Sequence, residues 1–186
     1  DKMSSIVDYE DRATCIIFGD GAGAVLFEAS DSDFGWEDEY LRSDGSGRKY
    51  LNIKAGGSLL PTSRLTVENK MHNLYQDGKT VFKYAVSRMS DATEQIIKRN
   101  KIDPKKIAYL VPHQANSRII DATAKRINLP TEKVMRNIEK YGNTTAATLP
   151  LLLKDYEKKL RPGDKLIFAA FGGGFTWGAA YLTWSY

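Results

Sequence analysis

The stretch Tyr109-Leu110-Val111-Pro112-His113-Gln114-Ala115-Asn116 marks the point where a strand gives way to a helix. The apolar run 107–111 predicts a buried strand. Pro112 should end that strand, because proline has no N–H to donate to a neighbouring strand. A helical pattern begins at Asn116. Ligands of open α/β sheets bind at the carboxyl ends of the strands, so His113 lies where a site is expected.

The sequence around this stretch predicts an α/β layered sheet. Apolar residues from Phe82 to Ile97 follow the 3.6-residue spacing of a helix, with Thr80 as the predicted N-cap. Further predicted elements are a helix over 116–127, a turn at 142–145 that starts a helix to about residue 160, and strands over 165–171 and 177–184. The last two strands can pair antiparallel through Gly172-Gly173-Gly174. Alternating strands and helices are typical of α/β layers.

The first half of the chain is predicted to be mostly strand and loop. The apolar runs 15–18 and 24–27 are predicted to be two strands joined by Gly19-Asp20-Gly21-Ala22-Gly23. A nucleotide-binding glycine loop is the alternative, but such a loop needs a helix directly after it. Residues 39–43 and 50–54 alternate as strands with a turn between them. The segment 56–76 has no clear period and is predicted to be a long loop.

Composition excludes several classes of protein. The 186 residues contain one cysteine, which rules out an internal disulfide framework and a cysteine-based zinc site and fits a reducing compartment such as the cytoplasm. No apolar run approaches the roughly 20 residues of a membrane helix. The net charge of +4 is mild and does not require a nucleic-acid partner. No metal site is predicted.

Three turns carry the chemistry of a candidate site: 112–114, 141–143 and 171–175. Histidine offers a tunable base, asparagine offers a donor that cannot titrate, and a glycine turn exposes N–H groups. Together they suit a carbonyl oxygen that gains negative charge, although capping and packing roles remain open for the same residues. The second histidine, His72, is predicted to be an exposed loop residue, with a ligand role as the alternative.

Four strings of the sequence resemble signatures of β-ketoacyl-acyl-carrier-protein synthase III, the condensing enzyme that starts type II fatty acid synthesis. They are Pro112-His113-Gln114-Ala115-Asn116, Gly142-Asn143-Thr144-Thr145-Ala146-Ala147, Ala170-Phe171-Gly172-Gly173-Gly174-Phe175-Thr176-Trp177-Gly178, and Asp11-Arg12 followed by Phe18-Gly19-Asp20-Gly21-Ala22-Gly23-Ala24. Their order and spacing agree, so the resemblance covers nearly the whole chain.

The resemblance implies a thiolase-like layered fold and a homodimeric enzyme, of which this chain is the C-terminal half. Residues 1–33 would hold the terminal strand pair of the N-terminal half, and residues 34–186 the C-terminal half-domain. His113 and Asn143 match two members of a Cys–His–Asn triad. The nucleophilic cysteine would lie in a segment that is not in this sequence, and Cys15 does not match it. Gly173 would contribute its N–H to an oxyanion hole.

The implied reaction joins a short acyl-CoA primer, such as acetyl-CoA, to malonyl-acyl-carrier-protein with loss of carbon dioxide. No cofactor is implied beyond the coenzyme A thioester, which is a substrate. The residues implied to bind coenzyme A are Arg12 at the adenine and Gly78, Phe82, Ala115, Asn116 and Phe171 along the pantetheine tunnel. Lys83, Arg118 and Lys125 match the basic surface that receives the acidic carrier protein; a solvated surface is the alternative.

Three other functions stay open. The first is another thiolase-fold condensing enzyme, of the polyketide or quinolone type, so the choice of primer is not fixed. The second is a noncatalytic module that binds coenzyme A or a carrier protein. The third is a hydrolase that uses Cys15 together with His113 and Asn143. The elongating synthases, which use two histidines, are disfavoured because Asn143 stands in the second place.

Overall fold

The computed structural model describes all 186 residues, and its main body is a four-stranded sheet between helices. The strands are β1 (Gly35–Ser43), β2 (Leu51–Ile53), β3 (Leu74–Gln76), β4 (Ile107–Pro112), β5 (Lys165–Gly172) and β6 (Thr176–Thr183). The α-helices are α1 (Arg64–Glu68), α2 (Gly78–Arg99), α3 (Ser117–Arg126), α4 (Ile138–Tyr141) and α5 (Thr148–Tyr156). Short 3₁₀ helices span Met3–Ser5, Gly45–Lys49, Pro104–Lys106, Thr131–Lys133, Thr145–Ala147 and Glu157–Lys159. None of the helices combines the length and the apolar character needed to span a bilayer.

The main sheet is mixed, with strand order β1-β6-β5-β4. The pair β4 and β5 is parallel, whereas β6 runs antiparallel to both β5 and β1. Helices α2 and α3 cover one face of this sheet, and α5 lies against the other face. The predicted α/β fold, with a mixed sheet flanked by helices, is therefore confirmed.

Helix α2 is the longest helix and packs through the side that its apolar spacing predicted. Ala85, Met89, Ala92 and Ile96 are buried along it and join the core that also contains residues of β4, β5 and β6. Its N-cap is Asp77 rather than Thr80, because Asp77 Oδ1 accepts from Thr80 N–H at 3.0 Å. The Thr80 hydroxyl donates to Asp77 Oδ2 at 3.0 Å, so the predicted cap lies one turn too late.

Residues of β5 alternate between the two faces as a strand with a period of two requires. Leu166 and Phe168 pack with α5, while Ile167, Ala169 and Phe171 pack toward α2 and α3. The face on the side of α5 is covered only over β4 and β5. On β1, Leu41 is 65% exposed and Trp36 is 50% exposed, so this side of the sheet opens into a broad apolar cleft.

The predicted hairpin over 15–18 and 24–27 is not formed. Phe18 makes a single bridge to Asn143, and residues 21–30 form no regular structure. A strand requires a neighbouring strand for its N–H and C=O groups, and no strand of this chain lies beside either run. Ile16 and Leu26 are accordingly exposed. Whether residues 1–33 belong to a separate structural half stays a prediction.

Other boundaries also differ from the predicted ones. Strand β2 pairs with β3 and not with β1, and residues 45–49 between β1 and β2 form a 3₁₀ helix instead of a hairpin turn. The predicted loop 56–76 contains both α1 and β3. The sequence left 134–141 open between a short strand and a short helix, and the structure has a bridge from Val134 to Leu110 of β4 followed by a single helical turn, α4. A 3₁₀ turn precedes α5, which ends at Tyr156.

Candidate functional site

Three segments that are far apart in sequence meet at one cleft of about 1310 Å³. They are the end of β4, the turn before α5 and the turn between β5 and β6. His113, Asn143 and Gly173 all line this cleft, and most of its other lining residues are apolar. The structure therefore brings together the three residues that the sequence selected for catalysis.

His113 is held on both its backbone and its ring. Its N–H donates to Ala169 O at 2.8 Å, which extends the pairing of β4 with β5 by one residue. Its Nδ1 lies 2.7 Å from Thr148 Oγ1, at the N-terminus of α5. Burial penalises the charged imidazole and lowers the pKa of His113 from 6.5 to about 4. The ring is therefore neutral near pH 7.

Asn143 is fixed by the N-terminal segment of the chain. Its N–H donates to Ile17 O at 3.0 Å, and its carbonyl oxygen accepts from Gly19 N–H at 3.0 Å. The preceding Gly142 has a φ of 65°, which is the left-handed region that glycine adopts without steric cost. Asn143 Oδ1 accepts from Thr145 N–H at 2.9 Å. This bond orients the carboxamide and leaves Nδ2 free to donate into the cleft.

The glycine turn between β5 and β6 is anchored by Phe175, which is 1% exposed. Its ring packs against Phe171 and Tyr84, with centroid distances of 4.8 Å and 5.0 Å. Two backbone hydrogen bonds of 2.7 Å and 2.8 Å join Phe175 to Asp44. Gly173 lies at the exposed tip of this turn and lines the cleft, and its N–H has no hydrogen-bond partner within the protein. A rigid turn thus presents an unpaired donor.

Gln114 has a role in the site that the sequence did not reveal. It is fully buried, and its Nε2 donates to Pro112 O at 2.8 Å and to Met135 O at 3.3 Å. Its Oε1 accepts from Asn137 N–H at 3.1 Å. Asn137 stands just before α4, which leads directly into Gly142 and Asn143. Gln114 therefore ties the end of β4, and with it His113, to the segment that carries Asn143.

The residues predicted to bind coenzyme A fall into two groups. Phe82, Ala115, Asn116 and Phe171 line the cleft. Asn116 is also the N-cap of α3, because its Oδ1 accepts from Arg118 N–H at 2.9 Å. Arg12 and Gly78 are exposed and do not line the cleft. The predicted contacts of Arg12 with the adenine and of Gly78 with the pantetheine stay predictions.

The three predicted docking residues are exposed on two helices that pack together. Lys83 lies on α2, and Arg118 and Lys125 lie on α3. The Arg118 guanidinium stands over the Phe82 ring, 5.2 Å from its centroid. Because Phe82 lines the cleft, Arg118 places a positive charge at its rim.

The other histidine and the cysteine take no part in the cleft. His72 Nε2 lies 3.0 Å from Thr66 Oγ1 in a partly buried position, which is a structural contact within the segment 63–72. Cys15 does not line the cleft, and its Sγ lies 3.9 Å from Tyr9 O. A hydrolase that uses Cys15 with His113 and Asn143 is therefore not supported. No group of three or more histidine, cysteine, aspartate or glutamate side chains is placed to hold a metal ion.

Two family descriptions match the sequence. Residues 97–184 match "3-Oxoacyl-[acyl-carrier-protein (ACP)] synthase III C terminal", and residues 1–45 match "3-Oxoacyl-[acyl-carrier-protein (ACP)] synthase III". Curated relatives include the beta-ketoacyl-[acyl-carrier-protein] synthase III of Phocaeicola vulgatus, which is 60% identical over 186 residues. Synthase III 1 of Bacteroides thetaiotaomicron is 56% identical over the same length. Each match covers 100% of this chain and 56% of the relative.

A solved structure shows the same fold. The crystal structure of 3-oxoacyl-(acyl carrier protein) synthase III from Pseudomonas aeruginosa is 37% identical in sequence and superposes with a TM-score of 0.87. The match covers 99% of this chain and 56% of that one. The chain thus spans little more than half the length of the relatives it matches.

Proposed function

Because the chain belongs to the 3-oxoacyl-[acyl-carrier-protein] synthase III family and matches the C-terminal half of its members, we propose that it is part of an initiating condensing enzyme. That enzyme joins an acyl-CoA primer such as acetyl-CoA to malonyl-acyl-carrier-protein and releases carbon dioxide. The product is a 3-oxoacyl-carrier-protein. His113 and Asn143 serve the reaction as catalytic residues, and Gly173 serves as an oxyanion donor.

The reaction proceeds in two stages. A cysteine thiol gives its proton to His113 and attacks the acyl-CoA thioester. The carbon–sulfur bond to coenzyme A breaks, and the leaving sulfur takes up a proton from water, so that His113 keeps the proton of the thiol. Malonyl-carrier-protein then loses carbon dioxide, and the electron pair of the broken carbon–carbon bond forms an enolate. The enolate carbon attacks the acyl-cysteine, which releases the cysteine as a thiolate, and the thiolate then takes its proton back from His113. Asn143 and His113 contact the thioester oxygen that becomes negative.

The observation that carries this proposal is the convergence of His113, Asn143 and Gly173 on one apolar cleft. In such surroundings a fixed donor stabilises developing charge more strongly than water does. Asn143 Nδ2 and Gly173 N–H are both unpaired within the protein, so each can donate to an oxygen without first breaking a bond. Removing one such donor typically costs about 10²–10³ in kcat.

The nucleophile of this reaction comes from outside these 186 residues. Cys15 is the only cysteine of the sequence and does not line the cleft. The chain alone is therefore expected to be inactive in condensation. The whole enzyme is proposed to be a homodimer, as the resemblance implies, and to work in the cytoplasm, where its thioester substrates are used.

The carrier protein is proposed to dock on the basic surface formed by Lys83, Arg118 and Lys125. Arg118 lies over Phe82 at the rim of the cleft, where a flexible phosphopantetheine arm would enter, and Lys83 and Lys125 are exposed farther along the same two helices. Complementary charge mainly speeds association and weakens with salt. Arg118→Glu should therefore raise KM for malonyl-carrier-protein several-fold while leaving KM for acyl-CoA unchanged. Equal changes in both constants would contradict the docking role.

The direct test measures each stage separately in the full-length protein. Transfer of a radiolabelled acetyl group from acetyl-CoA to the protein reports the first stage, and mass spectrometry of the carrier-bound product reports the second. Asn143→Ala should retain labelling and lose condensation by about two orders of magnitude. Lys101→Ala, at an exposed position that does not line the cleft, is the matched control. Full condensation by Asn143→Ala would refute the assignment.

A further inference from the structure

The ring of His113 has one hydrogen-bond partner in the protein, the hydroxyl group of Thr148. Nδ1 of His113 and Oγ1 of Thr148 are 2.7 Å apart. Thr148 is buried at the first turn of α5, and its Oγ1 also lies 2.9 Å from Thr145 O, with the geometry of a hydroxyl that donates to a carbonyl. Nε2 of His113 has no hydrogen-bond partner in the protein, and the residue lines the cleft.

The number of protons in the two contacts fixes which nitrogen of the neutral His113 ring carries its hydrogen. A threonine hydroxyl has one proton to donate, and a carbonyl oxygen can only accept. If the hydroxyl donated to Nδ1, the Thr148 and Thr145 oxygens would face each other at 2.9 Å without a proton between them. If the hydroxyl donates to Thr145 O, the proton of the 2.7 Å contact must come from Nδ1. Only the second arrangement gives each short contact a proton.

No other hydrogen-bond donor nearby is directed at the ring nitrogens of His113. Thr145 N–H donates to Asn143 Oδ1 at 2.9 Å and so is not directed at the imidazole. The backbone N–H of His113 is bound to Ala169 O. Thr148 is therefore the single group that distinguishes the two ring nitrogens.

We infer that Thr148 is a positioning residue that holds His113 in the tautomer with the proton on Nδ1, which leaves the lone pair of Nε2 facing the cleft. The consequence for the reaction rests on the proposed function. Neutral His113 then accepts the thiol proton at Nε2, and it can donate to the enolate oxygen only while it holds that second proton. Asn143 Nδ2 is the donor that is present throughout.

The tautomer can be measured without any activity, by nitrogen NMR of the chain labelled with ¹⁵N-histidine at pH 8. A protonated ring nitrogen and an unprotonated one have well-separated shifts, and the chain contains only two histidines. His72→Asn assigns the remaining signals to His113. The inference expects Nδ1 protonated and Nε2 unprotonated in the wild type. Protonated Nε2 and unprotonated Nδ1 in the wild type would overturn the inference. This outcome is read from the wild type alone and does not depend on the folding of a Thr148 variant.

Two substitutions then test whether Thr148 is the cause. Thr148→Ser keeps the hydroxyl and should keep the wild-type pattern. Thr148→Val has nearly the same volume but no hydroxyl, so the proton should shift in part or fully to Nε2. An unchanged pattern in a folded Thr148→Val protein would refute the role of Thr148. In full-length enzyme, Thr148→Val should lower kcat for acyl transfer with KM unchanged. A shifted tautomer with undiminished acyl transfer would leave the role of Thr148 standing and would instead count against the proposed function.

Discussion

Stability should fall between pH 8 and pH 5.5 because His113 is buried in its neutral form. Burial lowers the pKa of His113 from 6.5 to about 4. Between these two values the unfolded chain binds a proton at this residue and the folded chain does not. Since stability falls with falling pH wherever the unfolded state binds more protons, the contribution of His113 is present above pH 6.5 and is lost as pH falls toward 4.

The size of the effect follows from the two pKa values. Each unit of difference is worth about 1.36 kcal/mol, so the full loss below pH 4 is about 3 kcal/mol. At pH 5.5 the unfolded histidine is about nine-tenths protonated and the folded one hardly at all, which gives a loss of about 1.4 kcal/mol relative to pH 8. One edge of the ring faces the cleft, where water screens the charge, so this is the largest loss expected from His113 alone.

The assay is urea unfolding of the wild type and of His113→Asn at pH 8 and pH 5.5. Asparagine does not titrate in this range, and its Nδ2 can still donate to Thr148 Oγ1. The other titrating groups are common to both proteins, so the difference between the two pH dependences isolates His113. The wild type should lose about 1.4 kcal/mol more than the variant. Equal losses in the two proteins would show that the imidazole is not desolvated, and the reasoning would fail.

Further predictions concern the two buried anchors of the site. Phe175→Ala should lower the free energy of unfolding by about 3–5 kcal/mol, as large core truncations do, measured by urea unfolding. Gly47→Ala would place a Cβ 2.3 Å from the Phe175 ring and should cost about 1–3 kcal/mol. In a Phe175→Ala background the same change should cost much less, because the clash is gone; additive costs would contradict this contact. Gln114→Glu should be most stable at acidic pH, because the folded carboxyl is buried against two carbonyl oxygens and its pKa is raised above the unfolded value. Its stability should fall as pH rises from 5 to 8, whereas a flat profile would count against the bonds assigned to Gln114.

The elements predicted correctly from sequence are those whose pattern is set by their own residues. The 3.6-residue spacing of α2 and the proline that ends β4 are local properties, and both are found in the structure. The site could be anticipated for the same reason. His113 and Gly173 follow the carboxyl ends of β4 and β5, and neighbouring parallel strands must bring such ends together.

The elements predicted wrongly depend on residues far away in sequence. A run such as 24–27 has strand composition, but it becomes a strand only where a partner strand lies beside it. Strands β2 and β3 have three residues each, too few to show a period. The roles of Gln114 and Thr148 were hidden for a related reason. Composition does not distinguish a buried polar side chain with several partners from an exposed one, and the contacts that link Gln114 to Met135 and Asn137, and Thr148 to His113, each span more than 20 residues.

The cleft has two parts that differ in character, and its size reflects both of them. Small-molecule sites usually measure about 300–1,000 Å³, and the cleft exceeds this at about 1310 Å³. Its lining extends from His113 and Asn143 to Trp36 and Leu41 on β1, an edge strand whose apolar side chains are half or more exposed. Exposed apolar side chains on a long edge strand favour association with further polypeptide. The region around His113, Asn143 and Gly173 carries unpaired donors, whereas the region along β1 offers an apolar surface. We therefore expect the proposed chemistry in the first region and packing against other polypeptide in the second.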